Sequence, residues 1–206
     1  MRNKIYTIVE GYGEARSNKT KPAAVMLVQK LLAEVNCDHL FPAEKYPPFR
    51  LPYGQFFRDD KFERAIRLHK KYPDCAAILA LLDMDDDCAK EQAFILANRV
   101  RKMETLPFSV VIVCAVREYE SWFLASLESI QLGNHYQGNA ETIRDAKGWL
   151  RRNFGYKQTQ DQAIYTQKLD ATLAYERTRS FRRLYHAFEE IKQAAESNLQ
   201  TITPSL

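Results

Sequence analysis

The chain has 206 residues, 46% hydrophobic and 27% charged, which excludes a disordered polymer and supports one sizeable core with a small appended helical piece. Its net charge of +4 permits an anionic partner such as nucleic acid without demanding one. Cys37, Cys75, Cys88 and Cys114 form no C-x-x-C pair, so neither a zinc finger nor a disulfide framework is expected. The apolar stretch after Met1-Arg2-Asn3-Lys4 is too short for a signal peptide, and no run reaches transmembrane length. A reduced, cytoplasmic protein with no membrane partner is the expectation.

Ile5 to Val9 is β-branched and aromatic and reads as the first strand, ending at Glu10-Gly11-Tyr12-Gly13-Glu14. A polar loop, Ala15 to Lys21, leads to Pro22 and a helix to about Asn36, with Ala24, Leu27, Val28, Leu31, Leu32 and Val35 at helical spacing. Residues 37–56 carry Pro42, Pro47, Pro48 and Pro52, so only short extended pieces fit there. Asp59 and Asp60 open an amphipathic helix through Lys71, stopped by Tyr72-Pro73.

Cys75 to Ala80 is an unbroken apolar run, the pattern of a strand buried on both faces in a parallel sheet. A helix from about Ala89 to Glu104 follows, with Phe94, Ile95, Val100 and Met103 as its inner stripe. Phe108 to Val116 is another strand, running into Arg117 and a helix to Ile130. Beyond Leu132 no strand is expected. Asn139–Asn153, Thr159–Tyr175 and Arg179–Glu196 read as helices and Thr201–Leu206 as a frayed end. The order β-α-(loop)-α-β-α-β indicates an α/β fold with a largely parallel sheet over residues 1–130, and a helical extension, 131–206, packed on it.

Between the second apolar run and its helix lie Asp83, Asp85, Asp86 and Asp87. On an extended backbone Asp83, Asp85 and Asp87 would point to one side. Such carboxylates must be solvated, partly protonated or held by a cation, and oxygen-only ligands suit Mg²⁺ or Mn²⁺ better than zinc. The plainer alternative is a helix cap with Asp87 as its N-cap, for which one aspartate would suffice. Glu10 with Glu14, and Glu118 with Glu120, follow two other strands, so a parallel sheet would bring all three acidic sites to one edge.

Several motifs are excluded. Arg16 stands where a dinucleotide fingerprint needs its third glycine, and no Walker A sequence surrounds Lys19-Thr20. Cys88 and Phe94 stand where an EF-hand needs glycine and glutamate. His39, His69, His135 and His186 have no mutual ligand spacing and read as surface or structural residues.

Val9-Glu10-Gly11 followed by Asp83-Met84-Asp85 resembles the Toprim pattern of nucleases, topoisomerases and primases. With Glu14, Asp87, the block Arg117-Glu118-Tyr119-Glu120-Ser121-Trp122, Tyr156-Lys157 and Arg179–Arg182, the chain resembles a Toprim-like bacterial family catalogued as a domain of unknown function. Gly13 departs from it, where a polar residue is commoner.

The resemblance implies a Toprim-like, Rossmann-like fold and an Mg²⁺-dependent (or Mn²⁺-dependent) site acting on phosphodiesters of DNA or RNA. It also implies an anti-phage or mobile-element setting beside an ATPase partner. Asp83 and Asp85 would bind the ion, with Asp87 and Glu120 as further ligands. Glu10 would serve as general acid/base or as a ligand to a second ion. Arg117 and Lys157 would pair with the scissile phosphate. Against these stand plainer roles: Arg117 as counter-ion to Glu118 or Asp87, Trp122 as core, Glu14 as loop surface. Lys147, Arg151, Arg152, Arg182 and Arg183, interleaved with Trp149, Phe154, Tyr156, Phe181 and Tyr185, read as a solvated face slightly ahead of a grip on a nucleic-acid backbone. The alternatives to a nuclease are a non-catalytic subunit of an ATPase and a phosphohydrolase of a small substrate.

Overall fold

A computed structural model describes residues 2–17 and 20–204. Lys19 in the polar loop, and Ser205 and Leu206 of the tail, lie outside the described residues. The first half runs β1 (Lys4–Val9), α1 (Tyr12–Ala15), α2 (Ala23–Glu34), β2 (Phe41–Pro42), β3 (Phe49–Arg50), α3 (Tyr53–Phe57), α4 (Lys61–Leu68) and β4 (Cys75–Asp83). Then come α5 (Ala89–Arg101), β5 (Ser109–Ala115), α6 (Glu120–Ala125), α7 (Leu127–Ile130), α8 (Ala146–Phe154), α9 (Gln158–Lys168), α10 (Ala171–Arg177), α11 (Arg179–Glu196) and β6 (Ile202–Thr203).

The strands form one sheet in the order β2-β1-β4-β5-β6, with β3 also paired to β1, and every pairing is parallel. This is an α/β, Rossmann-like architecture. Successive β4 side chains alternate between two layers: Ala77, Leu79 and Leu81 pack with α2 and the C-terminal helices, and Ile78, Ala80 and Leu82 pack with α4 and α5. Both faces are covered, which is why β4 and β5 lack a polar face.

The inner stripe of α5 differs from expectation. It is Ala93, Leu96, Ala97 and Val100, while Ile95 is 47% exposed. Two alanines let the helix lie close to the sheet, and that rotation turns Ile95 outward. Arg99 on its flank donates to both Glu63 carboxylate oxygens at 2.7 and 2.6 Å and to the Phe56 and Asp59 carbonyls at 2.7 and 2.8 Å. Arg99→Ala leaves a nearly buried Glu63 without its partner, so it should destabilise by about 3 kcal/mol in a urea unfolding curve. An effect below about 1 kcal/mol would show the pair to be surface-like.

The C-terminal elements also depart from the sequence reading. Residues 139–145 are not helical: α8 starts only at Ala146, where Asp145 accepts from the Gly148 N–H at 2.8 Å. The expected helix Thr159–Tyr175 is broken at Leu169, because Asp170 accepts from the Leu173 N–H at 3.0 Å and caps a new one. The end expected to fray pairs with β5, Val110 opposite Ile202 and Val111 opposite Thr203. Arg183 secures it by donating to the Thr203 hydroxyl at 2.7 Å. Trp122 is fully buried core, as anticipated. Among the described residues no helix is long and apolar enough to cross a membrane.

Candidate functional site

The parallel order brings the carboxyl ends of β3, β1, β4 and β5 side by side, the edge at which α/β sheets bind ligands. Glu10 follows β1, Asp83 closes β4, and Glu118 and Glu120 follow β5. Backbone amides lock them together. The Asp83 N–H donates to Glu10 Oε2 at 3.1 Å, and the Tyr119 N–H donates to Asp83 Oδ1 at 2.9 Å. Helices of the C-terminal half close the site. The Lys147 N–H donates to Glu118 Oε2 at 2.9 Å, the Tyr156 hydroxyl to Glu120 Oε1 at 2.9 Å, and Gln162 Nε2 to Glu14 Oε1.

Glu14 is therefore not loop surface. It is 3% exposed, because α1 turns it inward against α9. Glu14 Oε2 and Glu120 Oε2 are both buried and without a hydrogen-bond partner. Two orphaned carboxylate oxygens in one buried region are unusual, since buried polar atoms are nearly always satisfied.

The aspartate run does not present one face. β4 ends at Asp83 and Met84 turns into the core. Asp85 adopts a left-handed backbone, φ 42°, with its N–H donating to the Arg117 carbonyl at 3.0 Å. Arg117 is itself left-handed, φ 66°. Neither position carries the glycine that local sterics favour, so the turn is held by its surroundings. The run thus splits in two. Asp83 joins Glu10, Glu14 and Glu120 in an inner group, while Asp85, Asp86 and Asp87 are exposed.

The outer group has its own partners. Tyr53 donates to Asp87, and Asp86 is ion-paired to Arg117 and, at 3.0 Å, to Arg144. Arg117 therefore serves Asp86 rather than Glu118 or Asp87, and also donates to the Asp85 carbonyl at 2.7 Å. Asp87 does not cap the next helix, whose N-cap is Cys88 without a side-chain bond. Lys157 is exposed. Its N–H donates to Asp161 at 2.7 Å, and its ammonium makes no ion pair among the described residues.

Crowding shows in the acidities. Burial pushes Glu10 up to about 7, against the stabilising Asp83 N–H and with added repulsion from Asp85 and Glu14. Burial likewise pushes Glu120 up to about 7, opposed by Lys147 and reinforced by Glu14 and Glu118. Asp83 is raised well above the carboxylate range by burial and then by Glu14, Glu120 and Glu10. Burial would lower Lys147, but Glu120, Asp83, Glu118 and Glu14 together raise it. Lys147, read from sequence as part of a solvated face, is the cation of the inner group. No local pattern marked it, because only the docking of α8 brings it there.

The linkage has a definite sign. Glu10 and Glu120 hold protons in the native state up to about pH 7, whereas the unfolded chain releases them near the ordinary 4.5. Their contribution to stability is complete below about 4.5 and is lost as pH rises through about 7. In chelator, the melting temperature should fall between about pH 5 and about pH 8; a rise over that window would contradict the buried cluster.

The donor set is all oxygen, and its orphaned atoms fit a hard divalent cation. Among the described residues, however, no three His, Cys, Asp or Glu side chains already close on one point. The family model described as Domain of unknown function (DUF4276) matches residues 9–189. No curated protein and no solved structure matches the chain.

Proposed function

This chain belongs to the DUF4276 family, and we propose that it is a Toprim-like, metal-dependent hydrolase of phosphodiesters in DNA or RNA. The observation that carries this reading is the gathering of Glu10, Asp83 and Glu120, from three separate strand ends, with the buried Glu14 into one largely desolvated group, in which Glu14 Oε2 and Glu120 Oε2 have no hydrogen-bond partner. Mutual repulsion in a low-dielectric site is expensive, and a divalent ion is the ligand that relieves it.

Asp83 and Glu120 would hold Mg²⁺ or Mn²⁺, with Glu14 as a further oxygen donor and Asp85, whose charge is felt at Glu10, as a ligand from the exposed rim. Bound there, the ion would neutralise phosphate charge and lower the pKa of a water. Glu10, with its value near 7, is suited to take or give a proton at neutral pH. Asp87 would act from the rim through Tyr53. Arg117 would reach a phosphate by sharing its hold on Asp86, and Lys157 only from outside the cluster. A cytoplasmic defence setting, with an ATPase partner that controls the enzyme, belongs to the same proposal.

A second reading, a non-catalytic subunit of an ATPase, draws on the absence of a ready-made ion site among the described residues. Incubation of wild type and Asp83→Asn with plasmid, single-stranded DNA and tRNA in Mg²⁺ or Mn²⁺ separates the two. Cleavage by wild type, reduced at least about a thousandfold in the variant, is expected. Equal cleavage by both proteins would overturn the site, and no cleavage by wild type would favour the second reading.

A further inference from the structure

The inner carboxylates are flanked by cations on both sides along the sheet edge. Arg117 and Arg144 lie on the β5 side. On the β1 and β3 side stands Arg50, whose backbone pairs with Val9, the residue before Glu10. Its guanidinium lies over the Tyr12 ring, 3.7 Å from the centroid. Unlike Arg117 and Arg144, Arg50 makes no ion pair among the described residues, and its Nε is buried without a hydrogen-bond partner.

Tyr12 is 54% exposed, and the only other exposed aromatic among the described residues, Phe41, lies beside Lys4 at the opposite edge of the sheet. One face of Tyr12 is thus covered by an arginine whose charge no carboxylate cancels. The ring stands two residues beyond Glu10. With strands about 4.8 Å apart, Arg50 and Arg117 bracket the acids over roughly 14 Å.

We propose that Tyr12 and Arg50 form a subsite for one unpaired nucleotide next to the phosphate presented to Glu10 and Asp83, so that the nucleic acid taken is single-stranded. This rests on the hydrolase reading only for the position of that phosphate. The base stacks on Tyr12, and Arg50 holds the adjoining phosphate, the combination by which single strands are gripped without sequence preference. A base within a duplex is already stacked on both faces and cannot use the ring.

The test is fluorescence anisotropy of a labelled oligothymidine and of a labelled hairpin duplex, in calcium, with wild type, Tyr12→Ala and Arg50→Met. Both variants should bind the single strand about tenfold more weakly. Affinity for the duplex and for Mn²⁺ should stay within about twofold of wild type in Tyr12→Ala, which removes the ring and its contact with Arg50 but no carboxylate. Unchanged single-strand binding, equal losses on both nucleic acids, or no binding by wild type would overturn the subsite. Tyr12-dependent binding without cleavage in Mg²⁺ would support the subsite and overturn the hydrolase reading instead.

Discussion

Glu120→Gln is expected to raise the melting temperature of the metal-free protein by roughly 5–10 °C at about pH 8, while removing divalent-ion binding. Glu120 is fully buried, and its carboxyl is held at about 7 rather than the ordinary 4.5. Above that pH its ionisation opposes folding by roughly 3 kcal/mol. Glutamine has the same shape, can accept the Tyr156 hydroxyl as Oε1 does, and carries no charge toward Glu14. A variant more stable than wild type yet unable to bind metal is the signature of a site whose strain is kept for function. A lower melting temperature in chelator would mean that the glutamate is structural.

Trp122→Ala should destabilise by about 4 kcal/mol, the range for deleting a fully buried aromatic side chain. More than volume is lost. Trp122 Nε1 donates to the Ser180 hydroxyl at 2.8 Å, and Ser180 in turn donates to Glu141, which also caps the backbone N–H groups of Arg179 and Ser180. The indole thereby ties α6, immediately after the acidic block, to the start of α11. Trp122→Phe, which keeps a ring but removes the N–H, should lose less than half as much. Equal effects in both would show that the hydrogen bond, not the packing, fixes α11, and a loss below about 1 kcal/mol for alanine would contradict a shared core.

Much of this arrangement was legible in the chain. The apolar runs at Ile5–Val9, Cys75–Ala80 and Phe108–Val116 have no polar face, the pattern of strands in a sheet covered on both sides, and parallel order then brings Glu10, Asp83 and Glu120 to one edge. What could not be read depends on tertiary context. Asp85 and Arg117 adopt left-handed backbones without glycine, so nothing local announced the turn that separates Asp83 from Asp87. Lys147 and Gln162 reach the site from α8 and α9, whose polar faces look solvated until they dock. Capping by Asp145 and Asp170 outcompeted helix periodicity, and β6 is too short for any period to show.

The most direct test of the central claim is calorimetric titration of Mn²⁺ into the metal-free protein, wild type against Asp83→Ala/Asp85→Ala, at about pH 8. At that pH Glu10 and Glu120 have lost their protons. The buried group predicts saturable binding by wild type, a rise in melting temperature with the ion, and loss of both in the double variant. Binding that survives the double substitution, or none in wild type, would contradict it.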